Sequence, residues 1–308
     1  MARFDNTVVY TAVSEISHAA VATEALANSA RMEVFRPLCR QFDITGEGTT
    51  FNIPNTPSLT FAAVTEGTAP AEQAFDPLAV TCTPLLYGAD VIVGLNAWKS
   101  AQINPEAMIS KEVGEALAKS HDALAAVAYQ SASASAPDHL GIGTDAVKLN
   151  VTALKAAQAL LSAQNAKKPY AWVMHNTQLS EMLEDELFFS AAIKGSPVLT
   201  KGVQDNGFYT GFLNVQVYEC DQIVESSGRH SMMFSKGVGM AYVWKQLETP
   251  YSGGASELVT DIFYNSGARA YEVNSTYLGC MATGKGTGTY AAAGTGVTTN
   301  NFLVDYIS

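Results

Sequence analysis

The sequence predicts an α+β fold, and three observations predict it. A β-type excursion over residues 49–96 runs straight into one long helical pattern at 104–131. The small-residue stretch Ser131-Ala-Ser-Ala-Ser-Ala-Pro137 then opens a region of short helical and strand patterns. A strongly β segment at 250–282 comes after it. Together these give a mixed α+β or α/β core.

In chain order, residues 1–48 read as an N-terminal arm. Ser14 to Arg31 is rich in Ala and Glu and reads as a helix, but Ile16, Val21 and Leu26 are poorly spaced for a core-facing stripe. Pro37 stops whatever precedes it. The excursion begins with Thr49-Thr50-Phe51-Asn52-Ile53-Pro54 and returns from about Leu78 to Leu95. Between the two arms the chain is broken by Pro54, Pro57, Pro70 and Pro77. Folded back on itself, half the tip is about 12 residues, which reaches about 40 Å at ~3.3 Å per residue. A compact chain of this length has a radius of gyration near ~19 Å. Its own core therefore cannot absorb the arm. Leu59, Phe61, Val64 and Phe75 on it cost free energy if left in water. A disordered loop is one reading; an arm lying on a neighbouring copy of the same chain is the other.

The long helix is capped by Asn104, with Pro105 at its first position and Glu106 in its first turn, where the helix dipole favours an anion. Ile109, Val113, Leu117 and Leu124 mark one face, and the helix runs to about Gln130. Gly114 is a weak point within it, costing about 1 kcal/mol relative to Ala, and is the candidate bend site. Residues 131–137 form a linker. Asn150 or Thr152 starts a helix ending near Asn165. Tyr170-Ala-Trp-Val-Met174 reads as a buried strand, and Asn176 as the cap of a short helix with Leu179, Met182 and Leu183. Strands are expected at 211–218, 231–234 and 240–244. Glu257–Tyr264 and Ala268–Val273 flank Asn265-Ser266-Gly267 as a hairpin, with a further short strand at Leu278–Met281. Residues 283–301 are rich in Gly, Thr and Ala, a composition that orders only when something holds it; a neighbouring subunit is the simplest candidate. Phe302 and Tyr306, beyond it, join the contact candidates.

Composition narrows the function classes. The 308 residues suit two domains or one large one, and 47% hydrophobic with 15% charged residues supports a sizeable core. With 18 basic against 29 acidic residues the net charge is −11, so a cationic footprint for nucleic acid is missing. Such a chain can enclose DNA without sticking to it. The cysteines at 39, 82, 220 and 280 are widely scattered, give no zinc-ribbon signal, and read as buried free thiols of a reducing compartment. The opening MARFDNTVVY has no signal-peptide pattern, and no apolar run approaches the ~18 residues of a membrane span.

Catalytic patterns are weak. Gly279 to Gly286 nearly spells a phosphate-binding loop, but Gly286 stands where Ser or Thr should hold magnesium, and no helix pattern follows. His175 with Glu181 and Glu184 lacks the second histidine of a metal helix. His121-Asp122 and Asp138-His139 are sequence neighbours, which on a helix do not face each other. No Gly-x-Ser-x-Gly elbow occurs. Trp98, Trp172 and Trp244 read as core or interface anchors. No catalytic residue, metal site or cofactor is assigned.

Several segments, in their order, carry a resemblance. They are Glu66-Gly67 near the excursion's tip, Tyr87-Gly88-Ala-Asp90-Val-Ile-Val93, and the Asn104-Pro105-Glu106 helix start. To these are added Tyr170 to Leu183, Gly211-Phe-Leu-Asn-Val-Gln-Val-Tyr218, and Asp261 to Tyr271. The chain resembles the major capsid proteins of tailed bacteriophages, which have the Hong Kong 97-type fold, over nearly its whole length. The resemblance implies an N-terminal arm at 1–48, an E-loop β-hairpin at 49–96 and the spine helix of a P domain at 97–139. It further implies an A domain at 140–249, a P-domain β segment at 250–282 and a C-terminal extension at 283–308.

The same resemblance implies a function. The chain would be a structural protein and no enzyme, forming pentamers and hexamers that close an icosahedral shell around double-stranded DNA. Its partners would be copies of itself, a separate scaffolding protein, a portal and, as a further candidate, a decoration protein, with no membrane. It would assemble in the host cytoplasm and reside in the virion. A long charged N-terminal scaffolding segment is missing, a cleaved prodomain is not expected, and no position matches the family's Lys–Asn cross-link. Glu66 at the tip either meets a Lys or Arg of a neighbour or is a solvated charge. The alternatives are an encapsulin-type nanocompartment shell and a soluble α/β enzyme.

Overall fold

The computed structural model of the chain describes residues 7–44, 48–55, 63–67, 78–100, 105–133, 140–143, 148–163, 166–184, 208–212, 215–223, 230–248, 255–283, 289–291, 297–299 and 303–307. Helix α1 (Thr7–Met32) is followed by a 3-10 turn at Arg36–Leu38, begun by Pro37, and by strand β1 (Arg40–Ile44). Strands β2 (Phe51–Asn55) and β3 (Leu78–Cys82) form the base of the excursion. Pro84 lies between β3 and β4 (Leu85–Gly94), so the expected single return arm is two strands with different partners. Helices α2 (Leu95–Ser100) and α3 (Pro105–Ser133) come next; α3 runs into the small residues expected to be a linker.

The second half begins with β5 (Leu140–Gly143), α4 (Val151–Ala163), β6 (Tyr170–Met174) and α5 (Asn176–Leu183). It continues with β7 (Phe208–Phe212), β8 (Val215–Glu219), β9 (His230–Ser235) and β10 (Met240–Lys245). The short pair β11 (Leu247–Glu248) and β12 (Ala255–Ser256) leads to the hairpin of β13 (Leu258–Asn265) and β14 (Ala270–Thr283). The two strand patterns read at 268–273 and 278–281 are thus one strand. The chain closes with β15 (Thr289–Ala291), β16 (Val297–Thr299) and β17 (Leu303–Ile307).

One sheet is centred on β14. Over 270–277 it pairs with β13 along one edge and with β4 along the other; beyond, it pairs with β10, which pairs in parallel with β1. Helix α3 lies on this sheet. Ile109, Val113 and Leu117, at helical spacing, are buried with Leu258, Val273 and Tyr277, and Tyr87, Val91 and Val93 of β4 pack beside them. Each such buried aliphatic side chain contributes roughly 1.5–3 kcal/mol.

The other sheet has the order β5-β17-β9-β6-β8-β7. Every residue of β6 is buried because both faces are covered. Tyr170, Trp172 and Met174 meet Leu154 and Leu161 of α4 and Met182 of α5, while Ala171 and Val173 face Phe35, Leu38 and Ala125. Asn150 caps α4, its Oδ1 accepting from the Ala153 N–H at 2.9 Å. The cap of α5 is His175, whose ring accepts from the Thr177 N–H in a capping box with Gln178, and not Asn176 as expected.

Three further expectations give way. The poor stripe on the N-terminal arm is a working one: Val21, Ala22, Ala25 and Ser29 are buried, and α1 packs on α3 of the same chain. The tail has partners within its own chain. Its last strand, β17, pairs with β9 and β5, and β15 pairs with β16. Not all cysteines are free: Cys82 and Cys280 form a disulfide across 198 positions, while Cys39 and Cys220 are buried thiols. Strand pairing also cuts across sequence order. β10, within 140–249, belongs to the sheet of β14, and β17, within 283–308, to the sheet of β6.

Candidate inter-subunit surfaces and the buried cluster beneath them

The β2–β3 ribbon is fixed at its root and open at its tip. Phe51 pairs with Cys82 and Asn55 with Leu78, and the Thr81 hydroxyl donates to Asn52 Oδ1 at 3.0 Å. Ile53 and Cys82 are buried against Ile44, Ala241 and Val243, the Phe42 and Phe51 rings lie 5.0 Å apart, and the disulfide fastens β3 to β14. At the far end residues 63–67 are all exposed, Val64 at 50%, and Gly67 turns the chain at φ +85°, a conformation that favours glycine. Of the candidates on this arm, Val64 and Glu66 are therefore exposed, while Leu59, Phe61 and Phe75 lie outside the described residues.

The sheet face opposite α3 adds apolar groups that the motif reading missed. Leu86 and Ile92 of β4 and Phe263 of β13 are exposed, at 64%, 60% and 43%. Ile92, Glu272 and Phe263 form one cross-strand row. Strict alternation in β4 is the signal that could have found this: Tyr87, Val91 and Val93 point to the core, so Leu86 and Ile92 point away. Tyr306 sits in β17, between β5 and β9 of its own chain; Phe302 is outside the described residues. Gly114 is buried at the α1–α3 crossing. A Cβ there would stand 2.7 Å from the Ala25 carbonyl oxygen and 2.8 Å from Asn28 Cβ, so the two helices approach through a side chain that is absent.

Where α1, α3 and the first sheet meet, a set of charged groups is buried. His121 Nδ1 is 2.7 Å from Glu33 Oε1, and its Nε2 is 3.0 Å from the Tyr242 hydroxyl. Tyr242 donates to Glu257 Oε1 at 2.6 Å. Arg36 bonds Glu257 Oε2, lies 3.6 Å from Glu33 Oε2, and stands over the Tyr242 ring. With the Tyr242 proton directed at Glu257, the Tyr242 oxygen is left as the acceptor facing His121 Nε2. Glu33 and Glu257 thus face Arg36 and His121. Asp122 is a third carboxylate, accepting the Phe35 N–H at 3.0 Å and the Val34 N–H at 3.2 Å.

The titrations reflect this arrangement. Burial works to raise the Glu33 carboxyl, but the hydrogen bond and charge of His121, with Arg36, outweigh it and hold Glu33 below its ordinary value. Burial pushes Asp122 up to about 6 against the two backbone donors. Burial and then the Glu257 charge push the Tyr242 hydroxyl up, and burial takes Tyr277, bonded to Ser120, to about 12. His121 and Asp122 do not face each other, as expected of sequence neighbours; each faces the end of α1 instead.

The catalytic near-motifs are dispersed. Gly279 to Thr283 belong to β14. His175 caps α5, Glu181 accepts the Leu149 N–H, and Glu184 pairs with Lys148 at the surface. Among the described residues no group of three or more His, Cys, Asp or Glu could hold a metal, and no helix is long and apolar enough to cross a membrane. Trp172 is core, Trp98 packs on the Tyr271 ring at 4.6 Å, and Trp244 borders the cluster of Phe35, Leu38, Val173 and Phe234.

A family profile described as phage capsid protein matches residues 106–271, more than half of the chain. The chain belongs to the phage capsid protein family. No curated protein matches this capsid protein in sequence, but solved structures match its fold. It is similar to the capsid of the cyanophage P-SCSP1u at 11% identity and TM-score 0.61, covering 90% of this chain and 88% of that one. It is similar to the acid-stable capsid of Helicobacter pylori bacteriophage KHP30 at 13% identity and TM-score 0.59, covering 90% and 89%. The SrpI encapsulin of Synechococcus elongatus also matches, at 11% identity and TM-score 0.55, covering 88% and 85%. The capsid protein therefore has the α+β, Hong Kong 97-like fold. It is a structural protein of a bacteriophage shell, a major capsid protein that assembles into multimeric capsids and resides in the virion.

Proposed function

We propose that the capsid protein forms pentamers and hexamers that close into an icosahedral shell around double-stranded DNA, with the β2–β3 ribbon as the E-loop lying on a neighbouring copy. The observation carrying this is the ribbon itself: its root is bonded and buried while its tip, 63–67, is exposed. In this reading the sheet of β14 with α3 is the P domain and the sheet of β6 with α4 and α5 the A domain. Interfaces of standard size, about 1,600 Å², hold copies together, and interlocking arms slow disassembly because several contacts must break at once. The net charge of −11 suits a lining that encloses DNA without binding it. A scaffolding protein and a portal supplied separately, and assembly in the host cytoplasm, belong to the same proposal. Leu59, Phe61, Val64, Glu66 and Phe75 are the proposed arm contacts, and Gly114 the proposed bend of the spine helix.

Deleting residues 57–76 tests the arm. The expected product is a folded subunit, by circular dichroism and thermal melt, that makes no shells in electron microscopy; normal shells overturn the arm's role. The encapsulin-type alternative rests on the SrpI match, which is nearly as good as those to phage capsids. Nucleic-acid content separates the two: particles purified from infected cells should carry nuclease-protected DNA, whereas protein cargo without DNA supports the nanocompartment.

A further inference from the structure

We infer that Glu33 is the moving part of a latch, with His121 and Arg36 as its socket, and that helix α1 undocks from α3 as a unit while the first sheet stays folded. The two joints of α3 differ in chemistry. Toward the sheet the joint is apolar: Ile109, Val113 and Leu117 against Leu258, Val273 and Tyr277. Toward α1 the groups are smaller, Ala22, Ala25, Ser29, Gly114 and Ala118, flanked by Val21 and Leu26, and α1 also rests on β13. Glu33 adds charged contacts to His121 and Arg36 at that joint.

The pivot is defined by what flanks it. Phe35 and Leu38 are fully buried among Ala171, Val173, Met232 and Phe234 and stay with the core. Asp122 holds the N–H groups of Val34 and Phe35. Glu33, one residue earlier, belongs to the mobile side, so swinging α1 away breaks Glu33–His121 and Glu33–Arg36. The socket survives, because His121 keeps Tyr242 and Arg36 keeps Glu257. A cavity of about 400 Å³ lined by Arg31, Met32, Lys119 and Asp122 lies beside this joint. Buried ion pairs add little net stability over apolar packing, because each charge recovers hydration when released. That favours a discrete opened state here, where an apolar joint would resist it.

Native-state hydrogen exchange on the full-length protein, read by mass spectrometry at sub-denaturing urea, tests the latch independently of what the shell encloses. Amides of 20–32 should exchange through an opening at least about tenfold more populated, and less urea-dependent, than that of 109–125 and 258–281. Glu33→Gln removes the carboxylate from both His121 and Arg36 and should raise exchange in 20–32 by about a hundredfold or more, leaving 258–281 unchanged. Replacing Glu33 and His121 together by Leu, which leaves Arg36 on Glu257, should instead slow it. Equal exchange and equal urea dependence of 20–32 and 258–281 in the unaltered protein would overturn the inference, whether or not the variants fold. So would a Glu33→Gln effect spread evenly over all three segments.

Discussion

At the scale of single residues, the informative positions are those whose neighbours come from far along the chain. Asp122 is an unremarkable acid in a helix until burial beside Val34 and Phe35 lifts it from 3.8 to about 6. The folded chain then holds a proton that the unfolded chain has released, so this group's contribution to stability grows as the pH falls from about 6 toward 3.8. Glu33 acts in the opposite sense: held below its ordinary 4.5, it contributes fully above that value and loses its contribution on further acidification. Asp122→Asn should therefore be more stable than the unaltered protein at pH 7, by up to about 3 kcal/mol. The difference should vanish below about pH 4; urea unfolding across pH measures it, and a pH-independent difference contradicts the assignment. Gly114 makes a second case. Helix propensity favours every residue but proline over glycine there, by up to about 1 kcal/mol, but a Cβ collides with the backbone of α1. Gly114→Val should cost about 1–3 kcal/mol and expose α1 to protease first. A gain in stability would mean that the helices do not meet there.

Among the elements, those with strong local signals were legible. The first turn and stripe of α3, the five buried residues of β6 and the β13–β14 hairpin sit close to where composition and periodicity put them; the expected cap, Asn104, lies outside the described residues. The docking face of α1 was not, because a seam of small residues has no large apolar stripe to count. The partner of β17 was not, because a Gly- and Thr-rich tail carries no pairing code and its strand is completed by β9 and β5. The Cys82–Cys280 bond was equally hidden: at a separation of 198 residues no spacing rule applies. Closing so long a loop constrains the unfolded chain, so Cys82→Ser should lower stability by about 2–4 kcal/mol under oxidising conditions. A dithiol reductant should lower the unaltered protein to the same level and leave the variant untouched. If reductant has no effect on the unaltered protein, the E-loop root is not stapled.

For the whole molecule, the exposed face of the first sheet is where association can be separated from folding. Ile92→Asp and Phe263→Asp alter groups that make no core contact. Each also sets an acid opposite Glu272 and should cost about 1 kcal/mol of subunit stability, well short of unfolding, while reducing shell yield in sedimentation. Full shell yield from both would remove this face from the contact set. The order of the parts — arm, β excursion, long helix, mixed domain, closing β segment — was written in the sequence, because capping residues, prolines and apolar periods act over a few neighbours. That order carried the family and the fold. Which limbs rest on their own chain was decided only in three dimensions. The N-terminal helix and the tail strand turned inward, and the excursion kept its tip outside, because docking depends on the groups that meet, and those groups come from opposite ends of the chain.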